Sequence, residues 1–423
     1  MGTIESPDTF RERYRVDEVM YVDEMDGTVR AALGRCASPA EAAVHGMRGL
    51  NTDSGANLGE VLGVGGGVPK GVRLDESLLY EQLAECRVRK SAAELEVMRY
   101  VSHVTSAAHV VVMRGAKPGM MEYQLEAAFM HHVYTTGGCR NLAYTAICAC
   151  GPNSSVLHYG HAGAPNARQL EEGDMALLDM GAEFHCYASD ITCSYPIRGT
   201  FDADQRMVFS AVLEAQRQIM GAMRPGTSWA AMHRLMWRVV LTALRGGGVL
   251  TGDVDAMMEA ELGSVFIPCG MGHLIGIDTH DVGGYLSHTP PRIEEAGIRK
   301  LRTARTLEVG MCLTVEPGCY FIDALLDPAL ADPKRSGFFN RDAVGRLRRF
   351  GGVRLEDVVV VTEVRPREDL GPTSGRLCAI PIFQVPAPAC TVFAVRHRQL
   401  HAVPTHSGGG GVGDGRGEMA AGE

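Results

Sequence analysis

The sequence predicts an α+β protein made of two similar halves packed around one sheet, with a cleft between them. Two observations predict it. The order helix, (Lys/Arg)-Pro-Gly, helix, strands runs once from Ser91 to Cys186 and again from Gln205 to Thr362. The stretches around the two breaks, GAKPGMMEYQLEAAF and GAMRPGTSWAAMHRL, are weakly alike, as an internal duplication would leave them. A third observation places the chemistry. The strand-like runs beginning at Met175, Met311 and Val353 each carry an acid against apolar neighbours, and a cleft between related halves suits a shared site.

Taken in order, the segment before Ser91 reads as small and mixed. Glu5-Ser6-Pro7-Asp8 suits a helix start, and Val16, Val19 and Met20 follow at helical spacing. Gly55 to Pro69 is glycine-rich, but GVGGGVPKG lacks the Lys-Ser/Thr ending of a phosphate loop, so it reads as a surface loop. At Ser91 the texture changes. Ser91-Ala92-Ala93-Glu94 is a capping box opening a helix that runs to Arg114. Lys117-Pro118-Gly119 ends it, and Glu122 to Val133 reads as the next helix. Strand-like runs follow at Tyr144 to Cys150 and Met175 to Cys186. In the second half, Gln205 to Met223 and Trp229 to Arg245 read as helices around Arg224-Pro225-Gly226. Met311 to Glu316 and Val353 to Thr362 read as strands. Past Arg365, prolines 381, 386 and 388 interrupt an apolar stretch, and the closing SGGGGVGDGRGEMAAGE is expected to be disordered.

Composition narrows the function. The chain has 423 residues, 22% charged and 45% hydrophobic, ordinary for a globular protein. A net charge of -9 argues against nucleic acid as the partner. The basic run Arg346-Leu347-Arg348-Arg349 reads as a solvated loop. No apolar run is long enough to span a bilayer, and the charged start lacks a signal-peptide core. With twelve cysteines and no secretory signal, reduced thiols in the cytoplasm are expected. Cys148-Ala149-Cys150 has the wrong spacing for zinc and reads as buried packing.

The segment Met175 to Asp190, MALLDMGAEFHCYASD, has two apolar arms joined at Gly181, each ending in an aspartate. A β-hairpin-like unit is expected, with Asp179 and Asp190 at its arm ends. Carboxylates beside buried residues need a proton or a cation between them. The pair alone suits turn caps equally well. Three residues join it: His273 in CGMGHLIG, Glu316 closing MCLTVE, and Glu356 in VRLEDVVVVT. Four carboxylates and one imidazole suffice for two divalent cations sharing a water.

The segments LLDMGAEFHCYASDITCSYP, GMGHLIGIDTHDVGGY, LTVEPGCYF and FGGVRLEDVVVVT closely resemble the metallopeptidases of the pita-bread fold. Within them, and with HYGHAGAPN and LRTAR, the chain resembles the eukaryotic prolidase (Xaa-Pro dipeptidase) family from Asp8 to Thr362. The resemblance implies a pita-bread domain over residues 91–365, after a truncated α/β amino-terminal domain at 1–90 and before an atypical tail at 366–423. It implies metal ligation by Asp179, Asp190, His273, Glu316 and Glu356, with Asp190 and Glu356 bridging two ions, and manganese as the usual metal. A metal-bridged hydroxide would be the nucleophile and Glu316 the proton shuttle. His158 and His280 would lie at the scissile carbonyl, and Arg302 and Arg354 at the substrate carboxylate. The expected substrates are Xaa-Pro dipeptides and the expected assembly a homodimer. The same resemblance leaves an aminopeptidase P-like action on longer peptides, or an inactive binding role, as alternatives. Three departures stand out. The family's amino-terminal domain is longer than the segment before Ser91, Cys269 stands where the family has a histidine, and the closing helix is not recognisable. An incomplete sequence at both ends is the expectation.

Overall fold

The computed structural model describes residues 5–36, 38, 42–52, 55, 71–363 and the backbone of 379–381. Helix α1 (Pro7–Tyr14) starts as expected. Ser6 accepts from the Thr9 amide, and Pro7 fills the first turn. It stops at Arg15, in the left-handed region with φ 51°. The helical spacing of Val16, Val19 and Met20 is therefore not used. Neither α1 nor α2 (Met25–Gly34) has a buried residue, so no apolar face extends a helix there. Strands β1 (Ala43–His45) and β2 (Arg73–Asp75) pair in parallel, and α3 (Leu79–Val88) follows. The glycine-rich loop, apart from Gly55, lies outside the described residues.

The first half opens with α4 (Ala92–Gly115). Its capping box is complete: Ser91 Oγ accepts from the Glu94 amide, and Glu94 Oε2 from the Ser91 amide at 2.7 Å. Helix α5 (Glu122–Gly137) packs antiparallel against it across the Lys-Pro-Gly break. Strands β3 (Asn141–Leu142), β4 (Ile147–Cys150), β5 (Met175–Asp179), β6 (Ala182–Phe184), β7 (Tyr187–Ala188) and β8 (Thr192–Pro196) follow. The second half repeats the plan with α6 (Ala203–Ala222), α7 (Trp229–Gly246), α8 (Val254–Glu259) and α9 (Gly263–Phe266). Then come β9 (Cys312–Val315), β10 (Gly318–Tyr320), α10 (Asp323–Ala331), α11 (Arg341–Leu347), β11 (Gly352–Arg354), β12 (Asp357–Val361) and β13 (Ala379–Pro381). The basic run expected as a loop instead closes α11, where Arg346 pairs with Asp204 and Arg348 with Asp323 and Asp327.

Strands β4-β5-β8 form one antiparallel ladder and β13-β12-β9 another. The two meet at Thr192 and Glu356, where the Glu356 amide donates to the Thr192 carbonyl at 3.1 Å. Each half has its own core. Phe129, Leu125 and Cys148 pack between α4, α5 and the first ladder. Trp229, Trp237 and Phe266 pack between α7, α9 and the second. Burying a side chain such as Leu125 or Phe129 contributes about 1.5–3 kcal/mol. Cys148 and Cys150 are buried in β4, as expected of packing residues. The hairpin at Asp179 and Asp190 is two nested pairs, β5 with β8 outside and β6 with β7 inside. The run expected from Val353 to Thr362 is broken at Leu355-Glu356, so Glu356 enters from between two strands.

Candidate active site

The nested hairpin sets the first two carboxylates. Asp179 ends β5 opposite Thr192, and Asp190 lies just before β8. Gly181 lets the chain fold back, since a Cβ there would sit 1.9 Å from the Ser189 carbonyl oxygen. The Tyr144 hydroxyl lies 2.5 Å from Asp179 Oδ1 and 2.6 Å from Asp190 Oδ1, so one phenol spans both acids. Glu356 arrives from the other half at the junction of the ladders, where Thr192 Oγ1 donates to its Oε2 at 2.6 Å.

His273 reaches the same point along a strand segment pairing with β9. Its amide donates to Thr314 Oγ1 at 3.0 Å, and Gly272 permits the approach, with an added Cβ 2.1 Å from the Thr314 carbonyl oxygen. Its Nδ1 faces the Leu274 carbonyl at 3.0 Å, which turns Nε2 inward, 3.3 Å from Asp190 and 3.6 Å from Glu316. Thr314 Oγ1 donates to Glu316 Oε1 at 3.2 Å. Donor atoms of Asp190, His273 and Glu356 all lie within 4.8 Å of one another, and all three residues are buried.

These groups open into a cavity of about 1350 Å³, which Asp179, Glu316, His158, His280, Arg302 and Arg354 also line. His280 sits edge-on to His273, ring centroids 4.4 Å apart. His158 is exposed on the turn after β4, and Arg302 is half-buried. Arg354 lies deepest. Its guanidinium donates to Asp179 at 2.5 Å, to the Tyr320 hydroxyl at 2.9 Å and to Thr192 at 3.1 Å. The cavity wall includes Cys269, whose thiol burial and the Glu316 charge push up to about 12.

Electrostatics mark the carboxylates as too many for their surroundings. Burial pushes Asp179 up to about 7; Asp190 adds to this while Arg354 opposes it. Burial, then the charges of Asp190 and Glu316, raise Glu356 well above the carboxylate range. Burial also raises Glu316 against the pull of His273 and Arg354. Burial disfavours ionised Asp190 too, but the hydrogen bond and charge of His273 hold it low. Burial, then the charges of His273 and Arg302, push His280 down to about 3, leaving a neutral imidazole. Carboxylates that keep protons near neutrality for want of positive charge are what a divalent cation relieves. Hard oxygen donors with one imidazole suit such an ion. The donor set therefore fits a metal centre.

Sequence reasoning missed the supporting groups. Tyr144 falls at the start of an expected strand, Thr314 lies inside another, and Thr192 lies past the expected run that ends at Cys186. Their hydroxyls matter only once the strands pair, and no local pattern marks them.

Residues 96–363 match the model of metallopeptidase family M24. The chain is 52% identical over 363 residues to the Xaa-Pro dipeptidase of Homo sapiens, covering 86% of this chain and 71% of that one. It is 36% identical over 291 residues to a probable Xaa-Pro aminopeptidase of Botryotinia fuckeliana, covering 68% and 61%. Among solved structures, aminopeptidase PepP of Pseudomonas aeruginosa superposes with a TM-score of 0.66 at 29% identity, covering 89% of this chain and 74% of that one.

Proposed function

This chain belongs to metallopeptidase family M24, and on that footing we propose that it hydrolyses Xaa-Pro dipeptides with two divalent cations. Asp179, Asp190, His273, Glu316 and Glu356 would hold them. When bound, the cations supply an acidified water and polarise the scissile carbonyl. The observation that carries the reading is the buried group Asp190, His273 and Glu356, with donor atoms within 4.8 Å, facing a cavity with histidines and arginines on its walls.

The remaining steps fall to side chains. Glu316, raised by burial, is suited to take a proton and pass it to the departing proline nitrogen. His280 stays neutral and can offer an N–H to the carbonyl oxygen as charge develops on it, with His158 across the same cavity. Arg302 receives the free carboxylate of the substrate. Arg354 is already engaged by Asp179, Tyr320 and Thr192, so its charge acts on the substrate through the carboxylates it balances. A bond to proline nitrogen carries no N–H, so recognition rests on the compact ring and the carboxylate.

Carboxylate-rich donors suit manganese. The cysteines Cys139, Cys148, Cys193 and Cys312 are free thiols, in keeping with cytoplasmic residence. A homodimer belongs to the same reading and is checked by light scattering. In the test of function, the manganese-loaded protein is expected to hold two ions per chain by elemental analysis and to cleave Gly-Pro. The Asp190→Asn variant loses activity by more than about a hundredfold, beyond the usual cost of an outer partner. Full activity in that variant would sink the mechanism. The roomy cavity favours a second reading, an exopeptidase of longer Xaa-Pro peptides. Faster cleavage of a Gly-Pro tripeptide than of Gly-Pro would select it.

A further inference from the structure

The loop from Cys150 to Arg168 carries His158 yet has little regular structure beyond one short turn at Gly151–Ser155. What fixes it is one carboxylate outside the metal centre. Glu122, the first residue of α5, is fully buried. Its Oε1 accepts from the Cys150 amide at 2.8 Å and from Asn153 Nδ2 at 3.1 Å. Its Oε2 accepts from the Tyr159 hydroxyl at 2.8 Å and from the Arg168 amide at 3.0 Å. The four donors sample the start, first turn, middle and end of the loop. The Glu122 amide also donates to the Arg168 carbonyl at 3.0 Å, so backbone and side chain grip the loop's end together.

The grip at the middle matters most. Tyr159 is buried, and its hydroxyl both donates to Glu122 and receives Asn153 Nδ2 at 2.8 Å. His158, its chain neighbour, is exposed to the cavity. Holding the Tyr159 ring inward therefore holds the His158 side outward. Charge-assisted bonds at a helix amino terminus are among the strong ones, and a buried carboxylate with both oxygens engaged as acceptors has no easy alternative arrangement.

We propose that Glu122 is a positioning residue that presents His158 to the cavity by pinning residues 150–168. The proposal rests on the reading of His158 as a group at the scissile carbonyl. The test uses the manganese-loaded full chain with Glu122→Gln and, as a milder second variant, Tyr159→Phe. Gln keeps the shape but turns an N–H₂ toward donors. Three results are expected together. Hydrogen exchange rises in 150–168 and not in the metal-bearing strands. Metal content stays at the wild-type value. For Gly-Pro, kcat falls at least about tenfold with little change in KM, a share of the ~10²–10³ that one oxyanion donor contributes. In a His158→Ala background the same Glu122→Gln change costs less than about twofold, because coupled residues do not add. A full multiplicative loss in that background, or unchanged exchange in 150–168, overturns the proposal. Should the wild-type chain fail to cleave Gly-Pro, the functional reading fails, and the exchange result alone decides the positioning role.

Discussion

The two halves share a frame and differ in what they hang on it. Helices α4 and α6 end alike, at Ala116 and Met223, both with φ near -63°. Gly119 and Gly226 both have φ +88°, and their amides donate at 2.8 Å to Leu170 and Leu307. Aligned this way, Asp179 at the end of β5 corresponds to Glu316 just past β9. Strand pairing extends the correspondence. Ala149 opposes Leu177, and His273 lies opposite Thr314, so Ala149 corresponds to His273. Thr192 corresponds to Glu356, and these two pair with each other where the halves meet. Asp190 then corresponds to Arg354. Only one of these four pairs carries a ligand type on both sides. Duplication explains why strand ends converge, while the proposed ligand set is assembled from unlike residues at like places. The exchange of an acid for Arg354 also limits the charge that four carboxylates would otherwise build up.

The sharpest way to break the comparison is to move the histidine. His273→Ala should weaken metal binding by more than about a hundredfold, beyond what an outer partner costs. Adding Ala149→His to that variant should not restore it. Ala149 is fully buried, so the ring overpacks β4 and costs about 1–3 kcal/mol. Isothermal titration with manganese reads the first effect and urea unfolding the second. Rescue by Ala149→His would show that the halves are chemically interchangeable and that the asymmetry is incidental.

That asymmetry also explains what could be read from the sequence. The helices were legible because their limits are local. The Ser91 capping box and the two Pro-Gly breaks act within a few residues. The M24 membership and pita-bread fold were legible because the motifs around Asp179, His273, Glu316 and Glu356 are long and in order. The nested hairpin was only half legible, since β5 takes β8 as partner and leaves β6 and β7 to pair inside it. Tyr144, Thr192 and the depth of Arg354 were not legible. Each acts through a bond across the sheet, such as Arg354 to Asp179 over 175 positions, and chain periodicity carries nothing of that range. Val16, Val19 and Met20 failed in the opposite sense: the spacing is helical, but Arg15 turns into the left-handed region and ends α1 before it is used.

Each half also encloses a neutral histidine, and acid separates them. His109 on α4 donates from Nε2 to the Met180 carbonyl at 3.0 Å. His233 on α7 packs on Trp237, and neither ring nitrogen has a partner among the described residues. Burial pushes both down to about 4. The unfolded chain binds the proton near 6.5, so each site's stability is full above that value and falls as pH drops toward 4. By pH 5 the loss is about 2 kcal/mol per histidine. His233→Leu should remove its share of the acid loss at small cost at pH 7. His109→Leu should remove a similar share but leave the Met180 carbonyl unpaired, costing about 1–3 kcal/mol at every pH. Urea midpoints at pH 7 and pH 5 separate the two. An unchanged acid slope in both variants would place the protons elsewhere.

The smallest effect tests whether like geometry means like energy. A Cβ at Gly119 or Gly226 meets nothing within 4 Å, so Ala substitution there carries no steric clash with neighbours. What remains is the backbone cost of an L-residue at φ +88°, about 1–2 kcal/mol. If the two turns are equivalent, Gly119→Ala and Gly226→Ala should lower stability by amounts within about 0.5 kcal/mol of each other, and the double variant should show their sum. The turns adjoin different cores, Ala116 and Met120 packing on one and Met223 and Trp229 lying in the other, so an equal cost would locate it in the turn alone. A gap of more than about 1 kcal/mol would mean that one half relaxes around its turn and the other does not. The duplication would then survive in the path of the chain while the halves bear strain differently, as they already bear charge differently at Asp190 and Arg354.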